Sequence, residues 1–305
     1  METIEFHPLT AKDRDVYNYY YQKSGTRLTD LTFSCRMAWN TVFRSEMAVF
    51  EDCCILISDG FIFTDPHILM PMGELDSDRL DRIFTALHPI MEARGWGMKI
   101  MCIDESQLAL FEGLKNFSFD MSFNEDSSDY IYDAESLRTL SGKVLHKKRN
   151  HVNKFIRTYP DYQYTSVTCA DKDDCLALVK EWCESKSIDY NNVEESDYKM
   201  IHELLDLCGK TEIRGGVIRI EGKVRAFALG SHGNHNQAFI HFEKADAAVP
   251  GIYAAINQLV LQHEFPDVVT VNREEDLGIP GLRKAKQSYE PIHLLRKYKT
   301  WLTPL

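Results

Sequence analysis

The sequence predicts an α/β (α+β) chain of two domains, each a mixed, mostly antiparallel sheet flanked by helices. Three observations carry this expectation. The chain has 305 residues, 44% of them hydrophobic, enough for two cores at about 150 residues per domain. Stretches of period-two alternation are interleaved with stretches of helical period along the whole length. VIRI and VRAFALG, joined by Glu221 and Gly222, form the pattern of an antiparallel hairpin.

In the first half, IEFHPLT reads as a strand and AKDRDVYNYYYQK as a helix. MAVFEDCCILI and GFIFTD follow as strands, DRLDRIFTALHPIMEARG as a helix and MKIMCI as a strand. SQLALFEGL is a short helix and FSFDMSF a further strand. The strand-like DYIY then leads towards a boundary between Asp133 and Gly142, so the expected domains are 1–138 and 139–305.

In the second half, LHKKRNHVNKFIRTY predicts a basic amphipathic helix, with Leu145, Val152, Phe155, Ile156 and Tyr159 along one stripe. YQYTSVT alternates as a strand, and Asp171 stands where it can cap DKDDCLALVKEWCESK. Tyr198, Ile201, Leu204, Leu205 and Cys208 recur at helical spacing up to Gly209. After the hairpin, QAFIHFE alternates, with Ala238, Ile240 and Phe242 on one face and Phe239, His241 and Glu243 on the other. Pro250 and Gly251 open a helix carrying Ile252, Ala255, Ile256, Leu259 and Val260. DVVTVN reads as a buried strand, LRKAKQSY as a short helix and PIHLLRKYKTWL as the final strand. The two halves therefore repeat one order of elements, as a duplication at domain scale does.

Charge and cysteine usage narrow the functional classes. Residues 1–140 hold 24 acids against 12 Lys and Arg, whereas the remainder holds 22 against 23. An extended nucleic-acid surface does not fit a net charge of −11. Lys143 to Arg157 nevertheless contains six Lys or Arg and no acid, a local anion-binding candidate. The eight cysteines include no CxxC pair, and reduced, packed thiols are expected. No run approaches the roughly 20 apolar residues of a membrane span, and METIEFHPLT lacks an export pattern, so a cytoplasmic protein is expected. There is no nucleophile elbow, Walker loop or dinucleotide fingerprint. His232, His235 and His241 lack metal-ligand spacing, and no metal is expected.

The order of elements in the second half resembles the GNAT (N-acetyltransferase) fold, in which the fourth and fifth strands splay apart to admit an acyl donor. On that resemblance, Glu274, Glu275 and Asp276 fall at the carboxyl end of the fifth strand, where open α/β sheets place ligands. DYIYDAESLRTLSGKVLHKKRNHVNKF together with VNREEDLGIPGLRKAKQSYEP resembles, over nearly the whole chain, a family of uncharacterised bacterial proteins grouped with the C-terminal domain of phosphatidylglycerol lysyltransferase. The resemblance implies tandem GNAT-like domains, and transfer of an aminoacyl group from aminoacyl-tRNA. Lys284, Lys286, Tyr289 and Pro291 match its LRKAKQSYEP stretch. A CoA-dependent N-acetyltransferase is the alternative donor chemistry. Its pyrophosphate loop falls in EKADAAVPGIYAAIN, which has one glycine.

Acyl transfer to an amine or hydroxyl needs a base for the leaving proton and a cation for the developing oxyanion. The expected catalytic set is Glu274 or Glu275 as base, with Arg273 or Lys286 facing the oxyanion. His241, Glu243, Asn272, Asp276, Lys284 and Tyr289 are the expected substrate-binding set, for a small-molecule or peptide acceptor. Lys147, Lys148, Arg149 and His151 are the candidates for phosphate or tRNA contact. The same charges also fit a structural ion-pair network, or a non-catalytic protein binding a small anion or peptide. The second domain is expected to carry the cleft and the first to be structural.

Overall fold

The computed structural model describes residues 4–61, 63–207 and 209–305. The expected stripe position Cys208, Ile62 of GFIFTD and the first three residues lie outside them. In chain order the elements are β1 (His7–Pro8), α1 (Arg14–Ser24), α2 (Phe33–Phe43), β2 (Glu46–Phe50), β3 (Cys53–Ser58), β4 (His67–Leu69), α3 (Ser77–Ala93), β5 (Lys99–Asp104), α4 (Leu108–Phe111), β6 (Phe117–Phe119) and β7 (Ser122–Phe123). They continue with β8 (Asp129–Asp133), α5 (Ala134–Thr139), α6 (His146–Thr158), β9 (Gln163–Ser166), α7 (Lys172–Ser185), α8 (Tyr198–Asp206), β10 (Arg214–Ile220), β11 (Lys223–His232) and β12 (Gln237–Ala245). α9 (Ile252–His263), β13 (Thr270–Asn272), α10 (Pro280–Gln287), β14 (His293–Leu295) and β15 (Lys297–Pro304) complete the chain.

Two sheets form. One has the order β1-β2-β3-β4-β5-β15-β6, with β7 also on β15; the other has the order β14-β8-β13-β12-β11-β10-β9. Counted from its own first strand, each sheet runs one to five, then a strand from elsewhere in the chain, then six. β15 fills that place in the first and β8 in the second. The expected tandem GNAT-like architecture is therefore what the chain adopts, and the duplication is visible in the strand order itself. The compact units follow the exchange: Met1–Asp129 with Leu295–Leu305, and Tyr130–Leu294. This differs from a single cut after residue 138. PIHLLRKYKTWL divides into β14 and β15, which belong to different sheets, because strand pairing is decided by distant partners rather than by local pattern.

Other departures are local. FSCRMAWNTVF, not expected as a helix, forms α2, with Thr32 accepting from the Cys35 backbone N–H at its N-terminus. MAVFEDCCILI is a hairpin, turning at Glu51 and Asp52, both with φ of 53°. Turns and bends occupy the described part of GFIFTD, and β4 starts at His67 instead. The expected Glu221–Gly222 turn is present, with φ of 51° and 78°. Among the described cysteines, six are free thiols, five of them buried. Cys169 is disulfide-bonded, which corrects the expectation for that residue, since spacing along the chain does not reveal tertiary proximity.

The core of the second unit lies between its sheet and helices α5, α6 and α9, around Tyr132, Phe155, Phe227-strand neighbours such as Ala226 and Ala228, and Ile252, Ile256 and Val260 of α9. Each fully buried aliphatic there contributes roughly 1.5–3 kcal/mol. Gly251 sets how closely α6 approaches α9. Its φ is +85°, and a Cβ there would stand 2.1 Å from the His151 carbonyl oxygen. No helix among the described residues is long and apolar enough to cross a membrane.

Candidate functional site

β12 and β13 pair in parallel for three residues, from Gln237↔Thr270 to Phe239↔Asn272. β12 then runs on to Ala245, whereas the chain beyond Asn272 follows β8. There Arg273 N–H donates to the Tyr130 carbonyl at 3.0 Å and Tyr130 N–H to the Glu274 carbonyl at 3.2 Å. The two strands thus part, and side chains span the gap.

His241 provides the first bridge. The register between β11 and β12 passes from Leu229↔Phe242 to Gly230↔Ile240, so His241 is the extra residue of a β-bulge, the device by which a strand re-aims one side chain. Its Nδ1 lies 2.9 Å from Glu274 Oε1 and its Nε2 lies 2.8 Å from Ser231 Oγ. A carboxylate only accepts, so Nδ1 carries the hydrogen; in the neutral ring Nε2 then accepts from the Ser231 hydroxyl. Ser231 and His241 are buried, and Glu274 is the half-exposed end of the chain.

Glu274 is held in a conformation that side-chain-bearing residues seldom adopt, with φ of 59°. Such a backbone costs on the order of 1–3 kcal/mol and persists where the surroundings over-determine it. Here the Glu274 N–H donates to Asn272 Oδ1 at 2.7 Å, and its carbonyl accepts from Lys286 Nζ at 2.9 Å. Lys286 Nζ also donates to the Arg273 carbonyl. Asn272 and Lys286 are both buried. Lys286 therefore holds the strand end by its carbonyls.

The second bridge joins Glu243 to Arg273. Arg273 Nη2 lies 3.2 Å from Glu243 Oε2, which also accepts from Asn257 Nδ2 at 3.1 Å. Two polar atoms of this cluster, Arg273 Nη1 and Asn257 Oδ1, are buried with no hydrogen-bond partner among the described residues. Orphaned buried groups cost about 1–3 kcal/mol each and call for an explanation. The Arg273 guanidinium stacks 4.8 Å from the Tyr289 ring and 5.7 Å from that of Tyr132. Lys148 Nζ lies 3.9 Å from the same Tyr289 ring. Burial, with the Arg273 charge second, lowers the Lys148 ammonium to about 8, against an opposing pull from Glu243. Burial likewise pushes the Tyr289 phenol up to about 12.

The remaining candidates have other positions. Asp276 accepts from Arg283 Nε at 2.7 Å and Nη2 at 2.8 Å, from the Tyr130 hydroxyl at 2.6 Å and from Gly278 N–H at 2.8 Å. The Arg283 hydrogen bonds, outweighing burial and joined by Tyr130 and Gly278, hold its carboxyl well below the usual carboxylate range. It is a clamp for the turn that leads into α10. Glu275 is half-buried. Lys147, His151 and Lys284 are exposed, and Arg149 Nη1 donates to the Leu140 carbonyl at 2.6 Å, closing the end of α5. Of the basic helix, Lys148 is the residue that reaches the Tyr289 ring.

Sequence reasoning missed Ser231, Asn257, Tyr130, Tyr132 and Arg283. Asn257 left a signal: an amide between Ala254 and Leu261 on the apolar stripe of α9, fully buried. Ser231 left none, since its role depends on the bulge opposite.

The fold and this parted-strand site define a GNAT-like protein whose fourth and fifth strands are bridged by a histidine–carboxylate pair and an arginine–carboxylate pair. More particularly, the chain belongs to the family of the phosphatidylglycerol lysyltransferase C-terminal domain, whose model matches residues 31–300. A conserved protein of unknown function from Bacteroides thetaiotaomicron is 32% identical, with a TM-score of 0.91 over 99% of this chain and 100% of that one. The C-terminal domain of a putative lysylphosphatidylglycerol synthetase from Agrobacterium fabrum shares the fold, with a TM-score of 0.66 at 15% identity over 95% of this chain and 91% of that one. An uncharacterised protein of Mycoplasmoides gallisepticum is 26% identical over 193 residues, which span 57% of this chain and about half, 56%, of that curated relative.

Proposed function

We propose that this protein is an acyl or aminoacyl transferase, that the second unit carries the chemistry and that the first is structural. The Ser231–His241–Glu274 hydrogen-bond chain at the parting of β12 and β13 carries the reading. Glu274 is the base. It takes the proton from the acceptor amine or hydroxyl as that group attacks the donor carbonyl; the new C–N or C–O bond forms, the donor's acyl C–O bond breaks, and the leaving oxygen takes that proton from Glu274. His241 holds the carboxylate through Nδ1–H, and Ser231 holds the ring. The acceptor is a small molecule or peptide.

Aminoacyl-tRNA is the donor this reading favours, on the family description and on the packing of α6. In an acyl-CoA enzyme the start of the helix after the fourth strand needs free backbone N–H groups for the pyrophosphate. Here that start is Gly251, against which α6 packs so closely that an added Cβ would stand 2.1 Å from the His151 carbonyl oxygen. The exposure of Lys147 and His151 on α6 supports a contact with a phosphate backbone.

The test is donor consumption. Incubated with labelled aminoacyl-tRNA and a panel of amines, the protein is expected to discharge the ester faster than it hydrolyses spontaneously, and Glu274→Gln to abolish the gain. Turnover of acetyl-CoA alone moves the donor to CoA. Failure to consume either, with Glu274→Gln indistinguishable from the parent, replaces the transferase with a binding protein that uses the same cleft.

A further inference from the structure

Lys148 and Arg273 present an unusual balance of charge. Both cations lie against the Tyr289 ring, at 3.9 and 4.8 Å, yet one carboxylate, Glu243, serves the pair, and it is already engaged by Arg273 Nη2 and Asn257 Nδ2. Among the described residues Lys148 has no ion pair or hydrogen bond for its ammonium, and Arg273 Nη1 is buried without an acceptor. The packed helix α9 contributes Tyr253 and His263 as its only ionisable residues, so it supplies no carboxylate. The cluster holds a net positive charge and unspent donors on both cations.

We infer that the Lys148 ammonium and the Arg273 guanidinium form a subsite for a compact oxyanion, a phosphate ester or a carboxylate, carried by the substrate. A guanidinium edge and an ammonium supply the directional donors and the charge that such a group requires, and the two tyrosine rings, Tyr132 and Tyr289, fix the guanidinium plane. The oxyanion accepts from Arg273 Nη1, which removes its desolvation cost, and gives Lys148 the counter-charge that Glu243 does not. Lys148 binds it as the protonated form. The groups facing Lys148 are Arg273, which opposes its charge, Glu243, which favours it, and the Tyr289 ring. Because burial and the Arg273 charge hold the ammonium down to about 8, anion binding is accompanied by proton uptake and weakens as pH rises through that value. The inference rests on the transferase reading for which molecule bears the oxyanion, not for the binding itself.

The experiment is calorimetric titration of the full chain, without any donor, using dimethyl phosphate and acetate at matched ionic strength. Both probes remain monoanions from pH 7 to pH 9.5, so protein groups alone set the pH dependence. Saturable binding is expected at pH 7 and at least about tenfold weaker binding at pH 9.5. Lys148→Met is expected to lose at least about tenfold at pH 7, whereas Lys148→Arg, whose charge does not titrate, keeps its affinity at pH 9.5. Lys154→Met, an exposed lysine of the same helix, is expected to bind as the parent does. Preference for dimethyl phosphate assigns the subsite to a phosphate ester, preference for acetate to a carboxylate. The inference is overturned if neither probe saturates, if Lys148→Met binds like the parent, or if Lys154→Met weakens binding as much as Lys148→Met. Absent donor turnover alongside intact anion binding would remove the transferase and leave the subsite; the converse removes the subsite alone.

Discussion

His241 Nδ1 lies 2.9 Å from Glu274 Oε1, and this contact joins β12 to the chain beyond β13 where their backbones no longer pair. The same carboxylate belongs to a residue with left-handed φ, pinned by Asn272, Tyr130 and Lys286. Side chain and backbone are thus both fixed by the fold itself, as the proposed base requires if it is to act without reorganising.

Glu274→Gln keeps an oxygen to accept from Nδ1–H but cannot take a proton. Transfer is expected to fall by about 10²–10⁴-fold with the melting temperature nearly unchanged. Ser231→Ala leaves the carboxylate in place and is expected to cost no more than about tenfold in kcat. Steady-state kinetics beside thermal melts separate the two. A Glu274→Gln protein that melts far lower but transfers normally would sink the assignment of the base.

Lys286→Met tests whether the buried ammonium positions the strand end. Its loss leaves the carbonyls of Arg273 and Glu274 without that donor, so melting temperature and transfer rate are expected to fall together. A lysine acting on an oxyanion would instead lose kcat at unchanged stability.

Asp276→Asn breaks the clamp with Arg283 and is expected to destabilise the protein by about 2–3 kcal/mol in urea titrations. The folded carboxyl is depressed below its unfolded value of about 3.9, so its contribution is present above that pH and is lost as pH falls through and below it. The parent should therefore lose more stability than Asp276→Asn between about pH 5 and pH 2.

Gly251→Ala introduces a Cβ 2.1 Å from the His151 carbonyl at a φ of +85°. An expected loss of about 2–4 kcal/mol combines backbone strain with the forced retreat of α6. Denaturant midpoints measure it. A near-neutral substitution would show that α6 can lift from the start of α9, and would reopen that end to an acyl-CoA donor.

Much of the fold was legible because it is locally encoded. The stripe of α6, apart from the exposed Ile156, the stripe of α9, the Glu221–Gly222 turn and the alternation of QAFIHFE each follow from neighbours within a few residues. α2 was not, since FSCRMAWNTVF is apolar around much of its circumference and shows no contrasting polar face. The candidate site was half legible. Charge density marked residues 273–276, and the alternation put His241 and Glu243 on one side, but nothing local told Lys286, which is buried, from Lys284, which is exposed.

Residue order and composition determined most element types, the duplication and the place of the charged strand end, because periodicity and turn chemistry act over one or two turns of chain. Tertiary structure alone decided that β8 and β15 enter sheets built largely from other parts of the chain, that a bulge turns His241 towards Ser231 and Glu274, and which cation meets Tyr289. Those outcomes depend on pairing between residues tens to hundreds of positions apart, where the free energy lies in register and burial and leaves no local trace.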